Sequence, residues 1–407
     1  MSKSRWLQLA LVLVAVGGVV VVLRGGSQSS PGSNPLVAAN GATPTTTASP
    51  AAVLPGMPPV VDRSDLYSET AAGKLSDVVK DDLTRIYVPN RADGTVSVID
   101  PATKKVVDTF ATGRDPQHVT PSWDLKTLWV NNNAEGRPDG TITPIDPHTG
   151  KPGKSIAVDD PYNLYFTPDG TSAVVVAEAF KRLDFRDPHS MAMQSSLATP
   201  SCSGINHADF TMDGRFVIFS CEFSGSLVKI DLTSKQVVGT LNLSGGGMPQ
   251  DLRASPDGRT FYVAEMTRGG IYIIDPDSMT ETGFIPVGTG THGLYPSRDG
   301  RTLYVANRGS AKVGGPPKGP GSVGVLDFAT NKIIATWPVP GGGSPDMGGV
   351  SADGKTLWLS GRYDNAVYAI DTTSGTYTII PVGTEPHGLC VWPQPGRYSL
   401  GHTGNMR

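Results

Sequence analysis

The chain predicts an all-β protein: a seven-bladed β-propeller with four-stranded blades, preceded by an N-terminal transmembrane helix and a flexible linker. Three observations carry this. An aspartate that ends a short β-branched run recurs at Asp100, Asp146, Asp187, Asp231, Asp275, Asp327 and Asp371, at spacings of 41 to 52 residues. Between these lies a tight turn, at Asp169-Gly170, Asp213-Gly214, Asp257-Gly258, Asp299-Gly300 and Asp353-Gly354, with Asp124-Leu125 as a degenerate copy. The third is an apolar run near the N-terminus, followed by a long stretch without apolar periodicity.

The repeat from Pro249 to Gly288 shows the unit most clearly. A first strand runs to the Pro256-Asp257-Gly258 turn, where Asp and Gly tolerate positive φ. Phe261 to Ala264, aromatic and β-branched, makes a second strand. Ile271 to Ile274 makes a third, stopped at Asp275-Pro276 because proline has no N–H to give. Phe284 to Val287 is the fourth. So small a sheet cannot bury its own faces and needs copies of itself. A period near 40–45 residues with four strands per unit is a propeller pattern, and seven third strands imply seven blades.

In chain order, Lys3 and Arg5 precede the apolar run from Trp6 to Leu23, and Arg24 follows it. Eighteen residues at ~1.5 Å each span about 27 Å, enough for a bilayer core. A secretory signal has a shorter core and a small-residue site soon after it, so an uncleaved anchor is expected, with cleavage the alternative. The basic flank places the N-terminus in the cytoplasm and the bulk of the protein outside it, at the cell surface or in the periplasm. A cleaved N-terminus would give a secreted protein. Ser, Pro, Thr, Ala and Gly then dominate a tether. The boundaries read as 1–24 for the anchor, 25–64 for the linker and 65–407 for the propeller. A net charge of −3 gives no polyanion-binding signature, and the expected partners are the membrane and a protein or small molecule.

The first repeat has a poor opening strand, since Leu75 to Asp82 lacks the turn signals. The far end of the chain supplies Pro386 to Trp392 as a good first strand, with Gly396 to Leu400 as a potential second. Ring closure by the C-terminus pairing into the first blade is therefore expected, which removes two sheet edges. Cys202 precedes the first strand of blade 4 and Cys221 ends its second strand, so the hairpin sets them side by side. A disulfide is expected there in an exported protein, against the alternative of two small buried thiols. Cys390 reads as a buried free thiol.

Tyr304-Val305-Ala306-Asn307, Gly324 to Asp327 and Lys332 to Thr336 resemble the repeats of the YVTN-repeat, YncE-like family of seven-bladed propellers. Ile86 to Asn90 and Val96 to Asp100 match the same pattern. The resemblance covers about 65–407 and implies the fold, with the propeller of cytochrome cd1 nitrite reductase as a relative. Fold alone does not fix an activity.

Two sets of polar residues converge on one mouth of the channel. Candidate ligand-binding residues before the first strands are His118, Asn163, His207, Asp251, His292, Asp346 and His387. Those after the second strands are Glu178, Glu222, Glu265, Asn307, Arg308 and Arg362. Imidazole with carboxylate suits zinc, copper or iron, and Glu178, His207 and Glu222 form the tightest candidate metal set. The competing expectation is that such residues cap strands and bond neighbouring blades. Register also separates them. His118, His207 and Asp251 stand six residues before their turn aspartate, but His292 and Asp346 stand seven before theirs, and strand alternation points the two sets differently.

The sequence lacks Cys-x-x-Cys-His, His-Glu-x-x-His and Gly-x-Ser-x-Gly motifs. No cofactor is evident, although a bound metal ion stays open, and no catalytic residue stands out. The glycine-rich Gly341 to Ser344 has no helix behind it to cradle phosphate. An insertion, Gly309 to Gly321, leaves a second strand and should overhang the mouth. Two readings follow: a membrane-tethered propeller that binds a ligand or protein without turnover, or a metal- or cofactor-dependent oxidoreductase at the mouth. A lactonase-like hydrolase is a weaker third.

Overall fold

The repeating aspartates explain the blades at the level of single hydrogen bonds. In the computed structural model, which describes residues 53–407, each turn aspartate folds its own hairpin. Asp257 Oδ1 accepts from Ser255 Oγ at 2.6 Å and from the Arg259 N–H at 3.1 Å, and Asp213, Asp299 and Asp353 repeat the pattern. Each strand-ending aspartate caps the next hairpin. Asp275 Oδ1 accepts the N–H groups of Asp277 and Ser278 at 2.9 and 3.1 Å. Such side-chain bonds to nearby backbone hold tight turns.

Seven antiparallel sheets result. Blade 5 is typical, with strands Pro249–Ala254, Phe261–Glu265, Gly270–Asp275 and Thr280–Pro286 from the channel outward. Its first two strands are wholly buried and its outermost is half exposed. Blade 2 departs slightly, because its outer strand is split into Lys151–Pro152 and Ile156–Ala157, both paired to Thr141–Asp146. Apolar side chains on the faces of adjacent blades interdigitate, as where Leu252, Phe261 and Tyr272 of blade 5 meet Ile218 and Leu227 of blade 4.

Around the channel the innermost strands are clipped together by side chains. Asp209 accepts the Ala254 N–H at 2.9 Å and Asp251 accepts the Leu294 N–H at 3.0 Å. The hydroxyls of Tyr165 and Tyr295 accept the Ala208 and Gly348 N–H groups at 2.8 and 2.7 Å. A buried backbone donor left without a partner is costly, so these clips stabilise the ring.

The ring closes as expected. Cys390–Trp392 pairs antiparallel with Arg85–Tyr87 as the innermost strand of blade 1, and Gly388 exchanges backbone bonds with Gln117 and Val119 of blade 2. Cys202 and Cys221 are disulfide-bonded, with Cα atoms 4.9 Å apart, and Cys390 is a buried free thiol.

Two expectations are corrected. Gly396 to Leu400 is not a second strand, because Arg85–Asn90 already fills that place. The tail instead runs beneath the channel, on the face that carries the Asp-Gly turns. There Leu400 O accepts the Phe166 N–H at 3.0 Å and the His402 N–H donates to Leu164 O at 2.8 Å. The linker reading also fails for 53–64, which packs on the ring. Leu54 is buried and its N–H donates to Asp213 O at 2.9 Å, while Leu66 N–H donates to Pro256 O at 2.6 Å. In place of an opening strand, 65–82 carries two short 3₁₀ turns, Ser68–Thr70 and Asp77–Val79. The stretch read as a membrane anchor lies outside the described residues, among which no helix is long and apolar enough to cross a membrane.

Candidate functional site

The first strands of blades 2 to 7 each carry a register shift at the mouth end, for example between Ile205 and Ala208 and between Thr291 and Leu294. A bulge inserts a residue and turns the strand. Simple alternation therefore fails here, and residues counted six and seven from the turn both reach the channel. His118 and His207 lie with ring centroids 5.6 Å apart, His207 and His292 5.7 Å, His292 and His387 6.0 Å, and His118 and His387 4.8 Å. A fifth imidazole, His402 of the tail, rises from below to 5.2 Å from His118 and 4.9 Å from His207. Five of the chain's seven histidines thus share one buried cluster.

Burial dominates their protonation. It pushes His118 down to about 3 and holds His207, His292, His387 and His402 well below the usual imidazole range, which favours neutral rings. Two carboxylates anchor the cluster's flanks. Burial would raise Asp346, yet Arg308 at 2.7 Å, His292 at 3.0 Å and Arg362 at 3.7 Å hold it low, and it also meets His387 Nδ1 at 2.7 Å. Asp251 is pushed up to about 6 by burial, against the pull of Arg253 at 2.8 Å.

Above the histidines opens a chamber of about 290 Å³. Gln117, Tyr162, Gln250 and His292 contribute to its lining, as do Arg91, Arg308 and Arg362 and the carboxylates Glu178 and Glu222. Tyr162 stands between the chamber and two of the rings, 5.4 Å from His118 and 6.1 Å from His207, while His292 belongs to both chamber and cluster. Glu222 accepts from Asn206 Nδ2 at 2.8 Å. The Glu178 carboxylate has no hydrogen-bond partner among the described residues. Burial, and then repulsion from Glu222, raise the Glu178 carboxyl well above the ordinary range, and burial raises Glu222 as well. The insertion after Asn307 overhangs this mouth. Its Val313 lines the chamber, the Tyr363 hydroxyl donates to Val313 O, and the Lys318 N–H donates to Asp364 at 2.6 Å.

The candidate residues divide by role. Glu265 accepts the N–H groups of Met248, Thr267 and Arg268, and Asn307 ties Thr291 to Ser322; both are strand caps. Asn163 Nδ2 sits 3.3 Å from His207 Nδ1 and 3.1 Å from His402 Nδ1. Glu178 and Glu222 line the chamber, whereas His207 belongs to the cluster below. Among the described residues the set placed to share a metal is His118, His207 and His402, each offering a ring nitrogen within 4.8 Å of the others. His402 carried no sequence signal, standing in the tail after the last repeat. Tyr162 and Arg91 are further chamber residues outside the candidate set.

The family profile described as YNCE-like beta-propeller matches residues 48–395. No curated protein sequence matches the chain. Solved structures similar to it include the Kuenenia stuttgartiensis hydrazine synthase, at 19% identity and a TM-score of 0.57, covering 75% of this chain and 94% of that one. A Bacteroides uniformis protein provisionally named a 6-phosphogluconolactonase aligns at 14% identity and a TM-score of 0.60, over 76% and 99%. The dihydro-heme d1 dehydrogenase NirN in complex with DHE aligns at 17% and 0.56, over 76% and 75%. Identities this low establish the shared fold alone. The repeats, the closed ring and the match over most of its length make this chain a member of the YNCE-like beta-propeller family.

Proposed function

We propose that this propeller is an extracytoplasmic, membrane-tethered binding protein whose mouth chamber takes a small organic cation, such as a primary amine. One observation carries the reading: the chamber's arginines face carboxylates of their own, whereas the Glu178 carboxylate has no partner and Glu222 has only neutral amides. Arg91 is paired with Asp115 at 2.5 Å, Glu385 at 2.9 Å and Glu135, while Arg308 and Arg362 both turn to Asp346. The carboxylates of Glu178 and Glu222 face the cavity with no cation between them. An ammonium group there would relieve their repulsion and take charge-assisted hydrogen bonds. The Phe223 ring, 57% exposed beside the chamber, offers a face for cation–π contact. The Cys202–Cys221 bond supports export to an oxidising compartment.

Calorimetry of full-length protein against alkylamines, diamines and amino sugars tests this, with carboxylates and neutral sugars as controls. Amines are expected to bind to wild type and to lose at least tenfold in affinity in Glu178→Gln. Binding of the anionic controls in place of amines would overturn the reading.

A further inference from the structure

We propose that His118, His207 and His402 hold a single zinc or copper ion in the channel, below Tyr162 and separate from the chamber. Three observations meet at this point. The three rings come from blade 2, blade 4 and the C-terminal tail, yet each offers a nitrogen within 4.8 Å of the others'. All three are fully buried, and four of their six ring nitrogens lack any hydrogen-bond partner: both of His118, and Nε2 of His207 and His402. Buried polar atoms are rarely left so, and these unpartnered nitrogens within one cluster offer a donor set for a cation. The rings are also held in place. Gly388 packs so closely on His118 that a Cβ there would lie 2.6 Å from Nδ1.

The donor chemistry selects the ion. Three imidazoles without a thiolate suit zinc or copper, and calcium and magnesium demand oxygen ligands. Three protein ligands leave a fourth position open. Asp251, 3.6 Å from His402 Nε2, sets a negative charge beside the ion. Asn163 positions two of the rings. Its Oδ1 accepts the Leu164 N–H at 2.9 Å, and its Nδ2 lies 3.3 Å from His207 Nδ1 and 3.1 Å from His402 Nδ1, which fixes how both rings are turned.

Elemental analysis of full-length protein purified without chelators is expected to find close to one zinc or copper per chain. After stripping, Co²⁺ should restore visible ligand-field bands that saturate at one equivalent. His118→Ala, His207→Ala and His402→Ala should each weaken Co²⁺ binding by more than the roughly 10- to 100-fold typical of outer partners. Glu178→Gln should leave it unchanged, which separates this site from the amine chamber. Circular dichroism checks each variant's fold, and His402→Gln replaces His402→Ala if the latter is unfolded. Wild type without metal and without cobalt bands, or cobalt binding that survives all three substitutions, overturns the proposal.

Discussion

The two ends of the channel are built from similar residue types and behave in opposite ways. At the base, polar side chains are paired. Arg407 reaches Asp209 at 2.6 Å, Asn405 reaches the same carboxylate at 2.8 Å, and Arg298 binds Val350 O at 2.7 Å and Gln394 at 3.2 Å. At the mouth, Glu178 is unpaired and shares its space with Glu222. Between the two ends sit the rings of His118, His207 and His402, four of whose six nitrogens lack partners. Satisfied groups rigidify a structure, and unsatisfied ones cost stability unless something binds them. The contrast fits a base that serves folding and supports the proposals that place ligands at the chamber and at the three rings.

The strongest way to break that contrast is to open the base and the ring together. A chain ending at Glu385 loses the innermost strand of blade 1 and the whole tail. Edge strands of blades 1 and 2 then stand open. Thermal unfolding of this truncation should show no cooperative transition, and a wild-type melting curve would refute the clasp's role. A narrower cut is Arg407→Met. It leaves Asp209 buried with part of its partnership gone, at a cost of about 3–5 kcal/mol, read as a lower urea midpoint.

Removing the Cys202–Cys221 bond with serines is the next step down. The bond closes a loop of sequence separation 19, for which chain entropy gives about 3 kcal/mol. Thiol titration of the denatured, non-reduced wild type should find Cys390 alone. Three free thiols would contradict the bond and weaken the argument for export.

What the sequence disclosed follows from how local each interaction is. Asp257 and Asp275 bond within three residues of themselves, so their spacing could be counted along the chain. The Cys202–Cys221 contact was legible because one hairpin joins the two positions. His402 meets His118 and His207 from the far end of the chain, through a tail with no periodicity, and no window of sequence contains that contact. The register of the inner strands failed for another reason. A bulge between Ile205 and Ala208 leaves no mark on a strand's composition, so counting from Asp213 and from Asp299 gave two directions where the fold has one. Glu178 and Glu222 line the chamber, while His207 lies beside His118 and His402, a grouping that spacing along the chain did not show.

The smallest expected effect on stability is the sharpest test of the comparison. Glu178→Gln and Glu222→Gln alter groups whose charges the fold does not use. Both carboxyls are raised in the folded protein, by burial and, for Glu178, by Glu222. The folded state therefore holds its protons to higher pH than the unfolded chain does, and wild type loses stability as pH rises from the unfolded carboxyl range through the folded values. The Gln variants, which cannot ionise, should match wild type near pH 4 and equal or exceed it at neutral pH. The difference should be about half a kcal/mol or less, because Glu178 is partly open to the chamber. Amine binding should run the other way: wild-type affinity rises with pH as the two carboxyls ionise, and in the Gln variants that rise is lost. A Gln variant that unfolds more easily at pH 7 would show that the mouth, like the base, is there to hold the ring together.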